Sequence, residues 1–338
     1  MKLSLVLLFS AAAIARGAVT QPDPSYPSYV PGPKLSGEFH AMGSPTMDTI
    51  TLGWIELFRQ AHREIEDVTT LEARANTTVV PGLVTGLSQV GPASRSLFPA
   101  EEAQFVEKFG YNPTVVRVCG GAFDRAGYSP ALAVYVNAAN PLREITLAQI
   151  EEIYARDGRI KTWGQLGLTG DWSDRAIHLF GLNLPNGIAT FFAEAAMHSR
   201  EFRSEITTRA TDRSGVVVVR ALSGMVAGVG EDRDGLCYAG PSNVQPHTKM
   251  LAVSPGAGQL AVSLTREHVI DRTYPLSRYL YIYINRPPGK PVERNTLEFL
   301  RVVLSQQGQE LISRRSPLLP LPPAVAREEL AKLLNPNP

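Results

Sequence analysis

Along this chain the spacing of apolar residues switches repeatedly between strand-like runs and helical repeats. Gly37 to Met42 reads as a strand that stops at Gly43, and Met47, Ile50, Trp54, Phe58 and Ala61 then recur three and four apart on one helix face. A strand near 68–73, a short helix at 79–86 and a strand at 89–92 follow; Pro99-Ala100-Glu101-Glu102 opens another helix, and 114–118 is again a strand. Further strands are expected at 132–136, 176–181, 236–239 and 250–253. Thr146 with Gln149 forms a capping box, Leu147, Ile150 and Tyr154 give that helix its apolar face, and Gly158 ends it. Residues 187–198 read as a helix. Residues 216–225 carry a β-branched run that fits a strand, but their Ser214-Gly215 start and later Ala-Leu-Ser favour a helix. Leu280 to Ile284 is β-rich, Asn295 caps the next helix with Glu298 three residues on, and 325–334 is the last helix. Such alternation predicts an α/β protein with mostly parallel sheets flanked by helices.

Length and charge narrow this further. A chain of 338 residues is expected to form two domains. Its 44% hydrophobic and 19% charged content belongs to a globular protein. The net charge of +1 offers no field for nucleic acid, so any anion must be recognised locally. Lys2, the apolar run Leu3 to Ile14 and Ala13-Ile14-Ala15 read as an export signal over residues 1–15, cut after Ala15. The run is shorter than the roughly 20 residues of a membrane span. No Cys follows it, so no lipid anchor is expected, and the mature chain is placed in the periplasm or outside the cell. Residues 16–35, rich in Pro, Ser and Tyr, read as a flexible tail. Cys119 and Cys237 are either a disulfide closing a long loop or two buried thiols. Two Cys and six scattered His make no metal pattern, so neither metal nor cofactor is expected.

Three segments could hold an anion. Gly43-Ser44-Pro45-Thr46-Met47 sets hydroxyls and backbone N–H groups at a helix start, where the helix dipole favours negative charge; the same pattern also describes an ordinary N-cap. Ala75-Asn76-Thr77-Thr78 offers an amide and two hydroxyls, or a second cap; Asn76-Thr77-Thr78 is also a glycosylation sequon. Ser94-Arg95-Ser96 presents a forked cation suited to oxyanions, unless Arg95 pairs with Glu101 or Glu102. Gly-x-Ser-x-Gly, a Walker loop, HExxH and a nicotinamide-binding glycine pattern are all absent from the sequence, so no catalytic residue is expected.

These segments recur in a particular order: Met42 to Met47, Gly91-Pro92-Ala93-Ser94-Arg95, Tyr135-Val136-Asn137 with Asn140-Pro141, Trp163 to Gly167, and Tyr274 to Tyr283. In that order the chain resembles the substrate-binding proteins of phosphate ABC transporters over nearly its whole mature length. The resemblance implies a two-lobe periplasmic-binding-protein fold of type 2. Lobe 1 would take 36–128 and 275–338, lobe 2 would take 129–274, and crossing strands at 132–136 and 280–284 would form a hinge. It further implies that Ser44, Thr46, Met47, Asn76, Thr77, Ser94, Arg95, Asn186 and Gly187 surround phosphate or a related oxyanion, and that the closed form docks on a membrane permease as a monomer. Arg278 is assigned to neither the hinge nor the cleft.

The chain departs from the family in one loop. Where the family has Gly-Arg, three variable residues and Ser-Gly-Thr, this chain has Gly181-Leu182 and Asn186-Gly187-Ile188. Two donors become apolar, which leaves a second reading open: a diverged scaffold that has lost phosphate and recognises another small molecule or a protein. A hydrolase using the same cleft has no motif behind it.

Overall fold

The computed structural model describes residues 25–65, 67–70, 75–182, 184–209 and 215–335, so the expected signal segment lies outside the described residues. A first run contains β1 (Glu38–Ala41), α1 (Asp48–Ala61), β2 (Asp67–Thr70), α2 (Val79–Thr85), β3 (Val90–Ala93), α3 (Pro99–Phe109) and β4 (Thr114–Gly120). A second contains β5 (Ala133–Asn137), β6 (Glu144–Thr146), α4 (Leu147–Tyr154), β7 (His178–Leu182), α5 (Gly187–Met197) and β8 (Thr207–Arg209). It continues through α6 (Gly215–Glu231), β9 (Gly235–Ala239), β10 (Thr248–Met250), β11 (Ala252–Ser254) and α7 (Arg266–Ile270). The chain then supplies β12 (Tyr279–Ile284), α8 (Arg294–Val303), α9 (Gln306–Arg315) and α10 (Pro323–Leu334). The segment that fitted both strand and helix is thus the helix α6.

Two five-stranded sheets result, ordered β2-β1-β3-β12-β4 and β10-β5-β9-β7-β8, with a small pair β11-β6. In the first, β12 runs against β3 and β4; in the second, β5 runs against β9 and β10. Each sheet is therefore parallel apart from one reversed strand, and that strand is the first one after the chain crosses between sheets. Each sheet has its own aromatic core. Phe39, Trp54, Phe58 and Phe299 are fully buried beside the first, with Phe39 and Phe299 centroids 4.8 Å apart. Tyr154, Phe192 and Tyr238 fill the second, Phe192 stacking on Tyr238 at 3.9 Å. Each such ring contributes about 1.5–3 kcal/mol by leaving water.

The crossings themselves run side by side. Gly121 N donates to Arg278 O and Leu132 N to Leu276 O, both at 3.1 Å, and the buried Tyr274 hydroxyl donates to Leu132 O at 2.8 Å. The expected crossing strands thus lie within single sheets: β5 and β12 begin only after the chain has crossed, through 121–132 and 271–278.

Several local expectations are corrected. Glu293, not Asn295, caps α8: its carboxylate accepts from the N–H groups of Asn295 and Thr296, at 2.9 Å each. Asn295 is left to donate to Ser36 O. Helix α4 ends at Tyr154, before Gly158, because the buried Arg203 donates to the carbonyls of Glu152, Ala155, Gly158 and Ile160 and satisfies the helix end. The single strand expected at 250–253 breaks at Leu251, since β10 pairs with β5 while β11 pairs with β6.

Residues 25–35, expected as part of a flexible tail, are tied to the first lobe. Tyr29 Oη lies 2.5 Å from His62 Nε2 and donates to Glu298; Gly32 N also reaches Glu298, and Tyr26 Oη reaches Leu321 O. Cys119 in β4 and Cys237 in β9 belong to different sheets and are separate buried thiols, whose acidity burial suppresses. No helix among the described residues is long and apolar enough to cross a membrane.

Candidate functional site

The carboxyl ends of β1 and β3 lead into two of the predicted loops, and the loop at 75–78 packs against them. In open α/β sheets this is where ligands sit. Gly43 is required here, because a Cβ would fall 2.0 Å from Pro92 O. Ser44 precedes a 3-10 turn (Pro45–Met47), yet its hydroxyl makes no capping bond. That hydroxyl instead donates to Ser94 Oγ at 3.0 Å. Asn76 clasps the same residue: its Nδ2 donates to Ser94 Oγ at 3.0 Å and its Oδ1 accepts from Ser94 N at 2.8 Å. Ser44, Asn76 and Ser94 are therefore one hydrogen-bonded cluster, with Ser94 at its centre. Ser129, in the first crossing, donates to Ser94 O at 3.0 Å and joins the cluster to the hinge.

The other predicted residues are distributed around this cluster. Thr46 Oγ1 makes a long bond, 3.4 Å, to Gly127 O in the same crossing. Met47 is fully buried and its N–H bonds Ser44 O, so this backbone donor closes its own turn. Thr77 is exposed at the rim. Arg95 is buried, but its fork grips Glu101 at 2.7 and 2.8 Å and also donates to Ser96 O, over the ring of Phe98. The guanidinium is thus paired with Glu101, and Arg95 also lines a small cavity between the lobes. Its stem still touches the second lobe, since a Cβ on Gly187 would stand 3.1 Å from Arg95 Cδ.

At the start of α5, Asn186 caps its own helix. Its Oδ1 accepts from Ile188 N at 2.8 Å and Ala189 N at 3.3 Å. The Ile188 N–H is therefore engaged within the helix start. Leu182 is buried in the second core.

Arg278 and Glu194 complete the contact between lobes. Arg278 is 3% exposed, lies 4.6 Å from the centre of the Phe191 ring, and donates through Nη2 to Gly187 O at 3.3 Å. Burial lowers its pKa to about 10. Ser96 Oγ donates to Glu194 Oε2 at 3.0 Å across the same seam. A groove of about 960 Å³ opens beside it, walled by Leu97, Tyr281 and Tyr283 on one side and by Leu184 and Phe202 on the other. Sequence reasoning left Arg278 unassigned, although it is the one charge between Thr273 and Asn285, in an otherwise apolar and aromatic run. Among the described residues one His and Asp group also converges, His178, Asp232 and Asp234, but the Asp234 carboxylate is held by Arg175.

Neutral donors at the ends of one sheet, facing a helix start on the other across a paired hinge, define a two-lobe binding protein. A family model described as the PBP superfamily domain matches residues 29–307. The chain is 32% identical over 339 residues to the phosphate-binding protein PstS of Pseudomonas aeruginosa, covering 98% of each. The chain belongs to this PBP superfamily, among the PstS-like substrate-binding proteins. Protein SphX of Synechococcus elongatus is 27% identical over 286 residues, covering 83% of this chain and 77% of that one. Among solved structures, PstS from Borrelia burgdorferi superposes with a TM-score of 0.55 at 16% identity, over 85% of this chain and 99% of its own. An ABC-type phosphate transport receptor from Vibrio cholerae gives 0.52 at 18%, over 83% and 99%. These two likenesses are of fold.

Proposed function

We propose that this chain is a non-catalytic extracytoplasmic receptor that captures phosphate, or a related tetrahedral oxyanion, between its lobes and delivers it to an ABC transporter permease. The observation that carries the reading is the Ser44, Asn76 and Ser94 cluster at the sheet ends, set against the start of α5 by the hinge. The relatives named for phosphate binding, matched end to end, support the same guest. In this reading the hydroxyls of Ser94, Thr46 and Thr77 and the Gly187 N–H contact the anion. Ser44, Met47, Asn76, Arg95 and Asn186 hold those groups in place. Lobe 1 is 36–128 with 275–338 and lobe 2 is 129–274, each closing on the other as a monomer in the periplasm or outside the cell. Calorimetry of the full chain against phosphate, sulfate and small carboxylates tests this. Heat with phosphate and a rise in melting temperature are expected, because a ligand that binds only the folded state stabilises it by mass action. Silence with every anion would refute it.

The alternative, a diverged scaffold, draws on two observations: Leu182 lies in the core where the family has Arg, and Arg95 is engaged by Glu101. The combined variant Leu182→Arg, Asn186→Ser and Ile188→Thr separates the readings. Phosphate binding by that variant and none by the parent favours the scaffold.

A further inference from the structure

We infer that Arg278 is the charged contact of an oxyanion site in the seam between the lobes, formed with Ser96, Gly187 and Thr190, and that the Glu194 carboxylate is the resident negative group the anion displaces. The inference rests on the receptor reading and supplies the cation which that reading lacks.

The backbone brings these residues together. In the antiparallel pairing of β12 with β3, Tyr281 lies opposite Ala93, so the residues just before β12 run beside those just after β3. Arg278 thereby comes alongside Ser96, at the mouth of the Ser94 cluster. From there it reaches across to Gly187, at the start of α5, and to the ring of Phe191 one turn further on.

The chemistry at Arg278 is incomplete. Its Nε is buried and has no hydrogen-bond partner among the described residues. Its one bond to the second lobe is long, 3.3 Å, and goes to a carbonyl already at a helix start. A guanidinium presents five N–H donors in a plane, and burying them unpaired is costly. Arg95, by contrast, has Glu101 on both fork nitrogens. Arg272, whose Nη1 donates to Arg278 O at 2.9 Å, also keeps Nε and Nη2 buried without a partner among the described residues, but it is not among the residues lining the seam cavity. Glu194 acts on Arg278 through space, and its own carboxyl is raised by burial between the lobes. This small cavity of about 10 Å³ beside Arg278 is bounded by Ser96, Gly187, Thr190 and Glu194 and by the rings of Phe191, Tyr279 and Tyr281.

That space holds about one water. A tetrahedral oxyanion enters when the lobes part and the Ser96–Glu194 bond breaks. It then accepts from the planar fork of Arg278 and from the hydroxyls of Ser96 and Thr190. Forked donation suits an oxyanion better than a point charge does.

Titration of the full chain and its variants with inorganic phosphate and with sulfate tests the inference. Arg278→Gln is expected to lose at least about 30-fold in affinity, with an unliganded melting temperature equal to or above the parent's, because an unpaired buried charge has gone. Glu194→Gln is expected to bind more tightly than the parent, since the competing carboxylate is removed. Affinity of Arg278→Gln within about threefold of the parent overturns the inference and leaves the receptor reading intact; a parent that binds neither anion overturns both. Should Arg278→Gln unfold, Arg278→Lys decides. A folded, weaker binder supports contact through the fork, and a folded variant with the parent's affinity shows that Arg278 only fills the seam.

Discussion

At the scale of single residues, the site is organised by donors that hold one another. Ser94 takes hydrogen bonds from Ser44 and Asn76 on its hydroxyl, and Asn76 returns the contact by accepting the Ser94 N–H. The Ser94 hydroxyl also donates to Asn76 Oδ1 at 3.3 Å, so the three residues hold one another in place. Replacing Ser94 by Ala leaves the Asn76 amide and the buried Ser44 hydroxyl without their acceptor. The expected loss is about 1–3 kcal/mol, the cost of stranding buried polar groups, seen as a lower urea midpoint at unchanged slope. A value inside about 0.5 kcal/mol, ordinary for an exposed surface site, would mean that the cluster is not held through Ser94. Arg95 is the contrasting case. Its pairing with Glu101, six residues on, was one of the two readings open in the sequence, and the same carboxylate caps α3 by accepting from Phe98 N. One acid serving two donors decides between the readings, and sequence spacing cannot display that double use.

At the scale of elements, what was legible is what local physics decides. The Thr146–Gln149 capping box is present with both of its bonds. The apolar face of α1, with Ile50, Trp54 and Phe58, is buried as its spacing predicts. Misplaced boundaries share one cause, a partner distant in sequence. Helix α4 stops early because Arg203, from another loop, takes up its carbonyls. The strand at 250–253 divides because two different strands compete for it. Helix α8 starts with Glu293, a residue outside the usual capping set, and Asn295 is drawn away to Ser36. For the candidate site the same division holds. The positions of Ser44, Asn76 and Ser94 could be read from their loops, but the direction of each donor could not. Asn186 turns inward to its own helix start, and Arg278 gains its role only when β12 is laid against β3.

At the scale of the whole molecule, acid should loosen this fold along a predictable course. Glu64 is brought down to about 2 by the N–H groups of Leu35 and Glu64 itself and by the His62 ring, so it helps fasten the segment that leads into β1. Elsewhere Glu152 is lowered by Arg159, Asp157 by Arg200, and Glu328 by Lys332 and Arg117. All four carboxyls hold protons less readily in the folded chain than in the unfolded one. The unfolded state therefore binds more protons through this window, and stability rises with pH across it. Their contribution is whole above the ordinary carboxylate range and is lost as pH falls from about 4.5 towards about 2. Glu194 and Asp48 oppose them, because burial raises both and their protonation favours the folded state. Since Glu205, Glu267 and Asp271 are lowered as well, seven lowered carboxyls stand against these two, and the denaturation midpoint is expected to fall steadily between pH 5.5 and pH 3. Glu64→Gln should flatten that fall without changing the order of the other groups. Urea titrations at four or five pH values check this, and a midpoint that holds level or climbs as acid is added would show that the carboxyl contacts at the lobe surfaces do not tie the elements together.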